Sequence, residues 1–463
     1  MTNLPQPTQL IISTLKKAGF EAYAIGGSVR DLLMDKPTKG WDFTTNAKPE
    51  EILKLFPDSF YDNQFGTVGI KITSKENPEI TEDIYEITTY RSEKGYKDHR
   101  HPDKIIWGKT VEEDLGRRDF TINAIAFDGK NFIDPFDGRK DIEKKIIRAV
   151  GDPNARLSED ALRMMRAVRI ASELGFFIDE DTLSAIKKNV GQLLTISAER
   201  IRDELLKLLA SGYPADGILL LKNSGILEKI LPEMDTAFGV PQKSPKRHHI
   251  YDVGTHSVMA VKFCPSSDPI VRLATLLHDV GKPKTFQKEE KTGVITFYNH
   301  EVVGANIAKE IARRLRLSKK QSEKLVTLIR WHQFTVDERQ TDSALRRLIR
   351  RVGKENLDDM LALRIGDRLG GGALETSWRL ELFKKRLEEV QKQPFTVADL
   401  NINGHDVMRE LNCAPGPMVG KLLNQLFTEV EAGTLPNERD ALLKRLGQLK
   451  LVGVSASPIG PKE

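Results

Sequence analysis

The chain has 463 residues, of which 39% are hydrophobic and 30% charged, with a formal net charge of +5. That length accommodates about three domains, and the composition is that of a soluble globular protein, with no run near the roughly 18 apolar residues a membrane span needs. The charge is too mild to demand nucleic acid on its own. The opening segment MTNLPQPTQLIISTLKKAG has neither a basic leader nor a small-residue cleavage site, so no signal peptide is expected. Cys264 and Cys413 are too few and too isolated for a disulfide framework or a cysteine-based zinc site, which points to a reducing cytoplasm.

From the N-terminus, Pro5 to Ala18 reads as an amphipathic helix closed by Gly19. Strand signals follow at 22–26, 41–44, 67–72, 83–90 and 121–127, with helix signals at 29–34 and 49–55, predicting a small mixed α/β domain with a central sheet. Tyr23 to Thr45 carries most of its information. An apolar strand breaks at Gly26-Gly27 and passes directly into a short helix. Paired glycines there let backbone amides approach a phosphate, and the helix dipole favours its charge. Arg30, in the first turn, adds a charge-assisted donor for the same phosphate. Asp42, in Trp41-Asp42-Phe43, is expected to face the glycines from the next strand. Strand, glycine turn, helix and then an acid on a neighbouring strand suit a triphosphate and its Mg²⁺.

Ile84 to Tyr90 alternates and sets Glu86 on the face opposite Tyr85 and Ile87. Glu86 reads equally as a metal ligand or as an anchor for Arg91. Residues 91–110 hold six basic residues and two histidines with no clear period, and a loop of that length is either functional or disordered. Next comes Arg117-Arg118-Asp119-Phe120-Thr121-Ile122-Asn123-Ala124. The arginines suit a triphosphate, and Asp119 with Asn123 suits a ribose hydroxyl; the plainer alternative is an Arg–Asp pair tying a helix end to a strand. Asp134-Pro135-Phe136-Asp137-Gly138 is a turn-rich hinge.

Beyond it the pattern turns helical. Ser158 is expected to N-cap a helix running through Ile170, with Gly175 as its C-cap. Asp160 and Arg163 would then share one face. An acceptor-only Asp beside a donor-only Arg complements the Watson–Crick edge of cytosine or adenine, and leaves buried groups unpaired against guanine or uracil. The bland alternative is a surface ion pair. Ser197 to Leu205 reads as a buttress for that helix. Further on, His256, His278-Asp279, His300, His332 and Asp367 are spread over successive helices; mixed imidazole and carboxylate shells suit Zn, Ni, Mn or Fe. His248 and His249 lie just upstream without a clear ligand role. Arg346, Arg347, Arg350 and Arg351 fall on adjacent turns of one helix, a stripe for phosphates or simply a solvated face. Turns at Asn401–Asp406 and Pro415–Gly420 follow, and Val454 to Glu463 is expected to be disordered.

In order, Gly26 to Asp42, Arg117 to Ala124, Asp134 to Asp141, Glu159 to Arg163 and Ser197 to Leu205 resemble the motifs of the class II tRNA nucleotidyltransferase and bacterial poly(A) polymerase superfamily. The His/Asp set resembles the HD phosphohydrolase superfamily, a common fusion in such chains. The resemblance implies an α+β protein: a mixed α/β nucleotidyltransferase head (1–145), an all-α neck and body (146–244), an HD domain (245–370) and a helical tail that binds tRNA (371–453). It implies addition of C, C and A to tRNA 3′ ends from CTP and ATP with Mg²⁺. Asp42 and Glu86 would be the catalytic carboxylates. Gly26, Gly27, Arg30, Arg117, Arg118, Asp119, Asn123, Asp160, Arg163, Arg166 and Arg169 would contact the nucleotide. In the HD domain His256, His278, Asp279 and Asp367 would hold a transition metal such as Ni, Mn or Zn, with His300 and His332 as the extra ligands of two-metal members. The implied reaction is hydrolysis of phosphomonoesters or cyclic phosphodiesters. The 91–110 loop matches in length the one used for switching from C to A.

One departure stands out. The family carries Asp-x-Asp where this chain has Gly40-Trp41-Asp42. Strand alternation would put positions 40 and 42 on the same face, so a metal ligand is missing and an inactivated head is the expectation. A poly(A) polymerase or A-adding enzyme, and a tRNA-binding HD hydrolase with a silent head, are the alternatives. Oligomeric state is not set by the sequence.

Overall fold

The computed structural model describes residues 4–38, 40–63, 66–72, 83–94, 104–243, 250–334, 341–373, 378–391 and 397–451. His248, His249, the middle of the 91–110 loop and the C-terminal ten residues lie outside them. Nine strands form first: β1 Ala22–Ile25, β2 Asp42–Thr45, β3 Ser59–Asn63, β4 Thr67–Ile72, β5 Asp83–Thr89, β6 Arg91–Lys94, β7 Lys104–Trp107, β8 Ala126–Phe127 and β9 Phe132–Ile133. Seven of them build a mixed sheet in the order β3-β4-β5-β2-β1-β8-β9. Its β2–β5 pair is parallel and its other pairs are antiparallel. β6 and β7 pair separately at the two ends of the basic loop.

Alternation along the strands decides which face is covered. Phe43, Val68, Ile70, Tyr85 and Ile87 point into a core closed by Ile11, Ile12 and Leu15 of the helix Gln6–Lys17 and by Ile52 of the helix Pro49–Leu55. Asp42 and Glu86 fall on the opposite, exposed side. The expected strand at 121–127 is a 3-10 turn, Thr121–Asn123, followed by the short β8. Asp119 explains the change: its carboxylate accepts from the Phe120 amide at 2.9 Å and from Asn123 Nδ2 at 3.2 Å, local bonds that compete with a strand ladder.

The remainder is helical as expected, apart from two small two-stranded pieces, Ile146–Ile147 with Phe177–Ile178 and Gln287–Lys288 with Ile295–Thr296. One hydrophobic core runs from Phe120 through Val390, so the neck and the His/Asp-bearing helices pack as one body, while the tail closes its own core between Leu400 and Leu449. Among the described residues no helix is long and apolar enough to cross a membrane.

The neck departs from expectation at one point that matters. Asp152 and Pro153 start a helix, Pro153–Glu159, with the Asp152 carboxylate capping the Asn154 and Ala155 amides. Ser158 is therefore near the end of that helix, and the N-cap position of the next one is Ala161. Asp160 is extended, with φ −139° and ψ 105°, and a second helix, Leu162–Leu174, begins after it and ends on Gly175 in the left-handed region.

Candidate functional site

β1 ends at Ile25, directly opposite Asp42, and the chain turns at Gly26 with φ 77°, a conformation glycine adopts without strain. A Cβ at Gly26 would stand 3.1 Å from Arg118 Nη1 and 3.7 Å from Asp42 Oδ2. Turn, cation and acid thus converge on one point, and Asp42 faces the glycines as the sequence predicts. Across the parallel pair Asp42 is in register with Glu86. Two carboxylates side by side on one exposed face are what a shared hard cation requires. Although Asp42 is exposed as a residue, protein crowds its carboxyl, and this burial raises its pKa while Arg118 pulls it down. Arg118 is itself depressed by burial, with Asp114 and Asp42 opposing, and its Nε is buried without a hydrogen-bond partner.

Position 40 needs a correction. β2 begins at Asp42, so Gly40 precedes the strand and alternation does not fix its side. A Cβ there meets nothing within 4 Å, so a carboxylate at this position fits sterically.

Behind the open face runs a hydrogen-bonded chain. Arg30 donates to Asp31 at 2.9 and 2.7 Å and to Asn123 Oδ1 at 2.8 Å. Asn123 donates on to Asp119, whose Oδ2 accepts from Arg166 Nε at 2.9 Å and Nη2 at 2.6 Å. Burial would raise the pKa of Asp119, but Arg166 outweighs it and holds the group at about 2. Arg117 lies on the buried Asp114 at 2.9 Å. The bracing reading of Arg117 and Asp119 therefore describes their contacts here. Asp141 completes the hinge, accepting from Thr121 Oγ1 at 2.7 Å and from Arg148, which also reaches Asp179 at 2.6 Å.

Asp160 and Arg163 do not share a helix face, because Asp160 lies outside the helix. Asp160 accepts from the Leu162 amide at 3.0 Å and from Arg200 at 2.7 Å. Arg163 donates to Glu159 at 2.5 Å, to the Arg156 carbonyl at 2.9 Å and to the Arg117 carbonyl at 3.2 Å. Arg169 is held by Glu204 at 2.6 Å and Glu173 at 2.7 Å. The helix Ala198–Leu209 is thus a buttress in the literal sense, its Arg200 and Glu204 fixing two of these residues. The arginine stripe also needs correcting. Arg346 is buried and donates to the Glu431 carbonyl, and Arg350 pairs with the Glu431 carboxylate, so these two knit the tail to the body; Arg347 and Arg351 are exposed.

A second site is assembled at the ends of several helices. His256, His278, Asp279, His300 and His332 are all buried, with Asp367 beside them. His256 Nε2 lies 3.1 Å from Asp367 and 3.7 Å from Asp279; His278 Nε2 lies 3.1 Å from Asp279. His300 and His332 approach the other Asp279 oxygen at 3.3 and 3.8 Å. Asp279 therefore stands between two groups of donors, His256 with His278 and His300 with His332. The Nδ1 atoms of His278, His300 and His332 donate to the carbonyls of Thr275, Phe297 and Ile329, at 2.7, 2.8 and 2.7 Å. This fixes the tautomer and turns every Nε2 toward the centre, the outer-shell arrangement of metal-binding histidines. The buried Nε2 atoms of His278 and His300 face Asp279 at 3.1 and 3.3 Å without a well-directed hydrogen bond, so the donor set fits a borderline transition metal. Burial opposes charge on His278, but Asp279 and Asp367 raise it to about 10; burial and His278 push His332 down to about 3.

Close glycine contacts bring these helices together. A Cβ at Gly281 would lie 2.1 Å from the His300 carbonyl, and one at Gly366 or Gly370 would lie 2.5 Å from the backbone of Ala260. Lys282 and Arg364, not singled out by the sequence, also line this cavity of about 480 Å³. Lys282 Nζ is 2.6 Å from Asp279, and Arg364 Nη1 is 3.0 Å from Asp367.

Comparison with known proteins places this architecture. Residues 22–148 match a model described as the poly A polymerase head domain, 175–238 a probable RNA and SrmB-binding site of polymerase A, and 284–446 a putative tRNA nucleotidyltransferase domain 2. A CCA-adding enzyme of Ligilactobacillus salivarius is 33% identical over 441 residues, 95% of each chain. This chain belongs to the CCA-adding enzyme family. A Geobacillus kaustophilus CCA-adding enzyme is 45% identical over 218 residues, 47% of this chain and 52% of that one. The crystal structure of the Bacillus stearothermophilus CCA-adding enzyme in complex with CTP matches with a TM-score of 0.71 at 28% identity, over 97% of this chain and 99% of that one. The Thermotoga maritima CCA-adding enzyme complexed with tRNA shares the fold, with a TM-score of 0.61 at 20% identity over 97% of each chain. The segment matched by the poly A polymerase head model contains the head-site residues from Gly26 to Asn123.

Proposed function

We propose that this chain adds C, C and A to the 3′ end of tRNA, taking CTP and ATP as substrates and selecting them with protein side chains instead of a template. The observation that carries the reading is the convergence of Gly26, Arg118 and Asp42 beside the in-register Glu86. Gly26 leaves room for a phosphate to approach the backbone, and Arg118 offers a donor that has no partner at Nε. Asp160 and Arg163 read the base edge, each held in place by a neighbour, Arg200 and Glu159 respectively. Asp42 and Glu86 would hold Mg²⁺, which when bound neutralises triphosphate charge and orients the reacting oxygens. The test supplies labelled CTP and ATP, separately and together, to tRNA lacking its CCA end. Ordered incorporation of CMP and then AMP supports the reading. AMP alone identifies an A-adding enzyme, and retention of tRNA without incorporation identifies a silent head.

A second activity belongs to the cluster around Asp279. His256, His278, Asp279 and Asp367 would hold one transition metal, and Asp279, His300 and His332 a second, for hydrolysis of phosphoesters; the convergence of the buried imidazole nitrogens on Asp279 favours this reading. Bound ions supply an activated water and polarise the phosphoryl oxygens. Metal content and hydrolysis of 2′,3′-cyclic nucleotides after Ni or Mn loading test it. Absence of both would remove it.

A further inference from the structure

Tyr298 lies on the wall of the cavity that holds the His/Asp cluster, yet it is 73% exposed and makes no hydrogen bond or ring contact among the described residues. Its position is nevertheless fixed on both sides. The Phe297 carbonyl accepts from His300 Nδ1 at 2.8 Å, and the Phe297 ring sits 5.3 Å from Lys282 Nζ and against Phe286. Asn299 then turns the chain with φ 60°, a left-handed value that Asn tolerates better than most residues. The same four-residue segment thus sends His300 inward to Asp279 and Tyr298 outward to the cavity mouth. Across the depth of the cavity the chemistry changes from buried acids and imidazoles, through the cations Lys282 and Arg364, to a bare aromatic face at the rim. A volume of about 480 Å³ lies within the range of small-molecule sites.

We propose that Tyr298 is a base-stacking residue of this second site, so that the cavity takes a nucleoside phosphate with its phosphoryl group among Lys282, Arg364 and the cluster and its base on the Tyr298 ring. The assignment rests on the phosphohydrolase reading above and adds to it the residue that holds the base. Every base offers a π-face, so stacking would favour nucleotides over sugar or glycerol phosphates without distinguishing strongly among bases. Tyr298 touches no cluster residue's ligand atom and is a binding residue, not a metal ligand.

The experiment uses the full chain in two states. With metal removed by chelation, 8-azidoadenosine 3′-phosphate is photocrosslinked and the labelled peptides are mapped. Label on the segment 297–300, lost in Tyr298→Ala, is the expected result; label confined to the head or neck overturns the assignment. With Mn or Ni restored, kcat/KM is compared for adenosine 3′-phosphate and glycerol 2-phosphate in the unaltered chain, Tyr298→Phe and Tyr298→Ala. Tyr298→Ala should lower the nucleotide value by about 5- to 150-fold, chiefly through KM, leave glycerol phosphate unchanged, and be rescued by Tyr298→Phe. Equal losses on both substrates, or no loss on either, would refute stacking while leaving the hydrolase intact. No hydrolysis of either substrate by the unaltered, metal-loaded chain would instead refute the hydrolase reading and this proposal with it.

Discussion

The Asp119–Arg166 pair gives a perturbation whose size and direction can be worked out. Asp119 is 8% exposed, and its carboxylate accepts four bonds, two of them from Arg166. Its pKa of about 2 lies below the ordinary 3.8, so it stabilises the fold wherever the unfolded group is ionised. A depression of that size corresponds to roughly 2 kcal/mol near neutral pH. Asp119→Asn keeps the shape, removes the charge and leaves Arg166 without its partner. The Arg166 side chain is 36% exposed, so the stranded cation adds less than a fully buried one would. The expected cost is about 2 kcal/mol, or a fall in Tm of about 4–8 °C. Because the folded pKa is depressed, the difference between the two proteins should be full above about pH 4, halve near about pH 3 and vanish as pH falls through about 2. Urea unfolding across this range, alongside KM for CTP, decides between bracing and ribose binding. A variant of unchanged stability at neutral pH whose only defect is a raised KM would refute the bracing argument.

Asp160→Ala should relax discrimination against UTP and GTP by about 10- to 100-fold with triphosphate affinity kept; incorporation of four labelled nucleotides at unchanged selectivity would count against base reading. Gly40→Asp, at a position open to a side chain, should raise CMP addition by about 10³-fold if a carboxylate ligand is missing, and equal rates would leave the chemistry to Asp42 with Glu86. His278→Ala should abolish transition-metal retention measured by elemental analysis, with CMP incorporation within about twofold of the unaltered chain. Gly366→Val would drive a Cβ to 2.5 Å from the Ala260 carbonyl, and a loss of about 1–3 kcal/mol or more on unfolding is expected.

What the sequence reveals and what it hides divide along physical lines. Gly26, Asp42 and Glu86 are legible because a period of two and a glycine turn fix side and direction without tertiary information. Asp160 is not. Asp152-Pro153 and Ser158 offer two helix starts a few residues apart, and the winner depends on Asp160 bonding the Leu162 amide and Arg200. The members of the His/Asp cluster are legible as ligand types in series, but the division into two groups about Asp279 is not. That division depends on Gly281 pressed against His300 and on Gly366 and Gly370 pressed against Ala260, contacts that join distant helices. The arginine stripe fails for a related reason: periodicity gives a face, and only the packed tail shows that Glu431 meets part of it.

The arginines around the head raise the question of how a triphosphate is met at all, since most already have partners. Arg117 rests on Asp114, Arg163 on Glu159, Arg166 on Asp119 and Arg169 on Glu204 and Glu173. Breaking such pairs to bind phosphate would leave a carboxylate behind for each cation withdrawn, at a cost of several kcal/mol where the acid is buried, as Asp114 and Asp119 are. The pairs are better understood as fixtures. A guanidinium held by a carboxylate on one edge keeps its other donors pointed one way, so the ordering entropy is met at folding and not again at binding. Arg118 differs in kind. It sits 3.8 Å from Asp114, a loose contact, brings Nη1 up to Gly26 near Asp42, and keeps a buried Nε without a hydrogen-bond partner. An unsatisfied buried donor costs the folded chain free energy that a phosphate oxygen would return. Under the proposed function, paired arginines hold the geometry and Arg118 would be the one left to meet the phosphates.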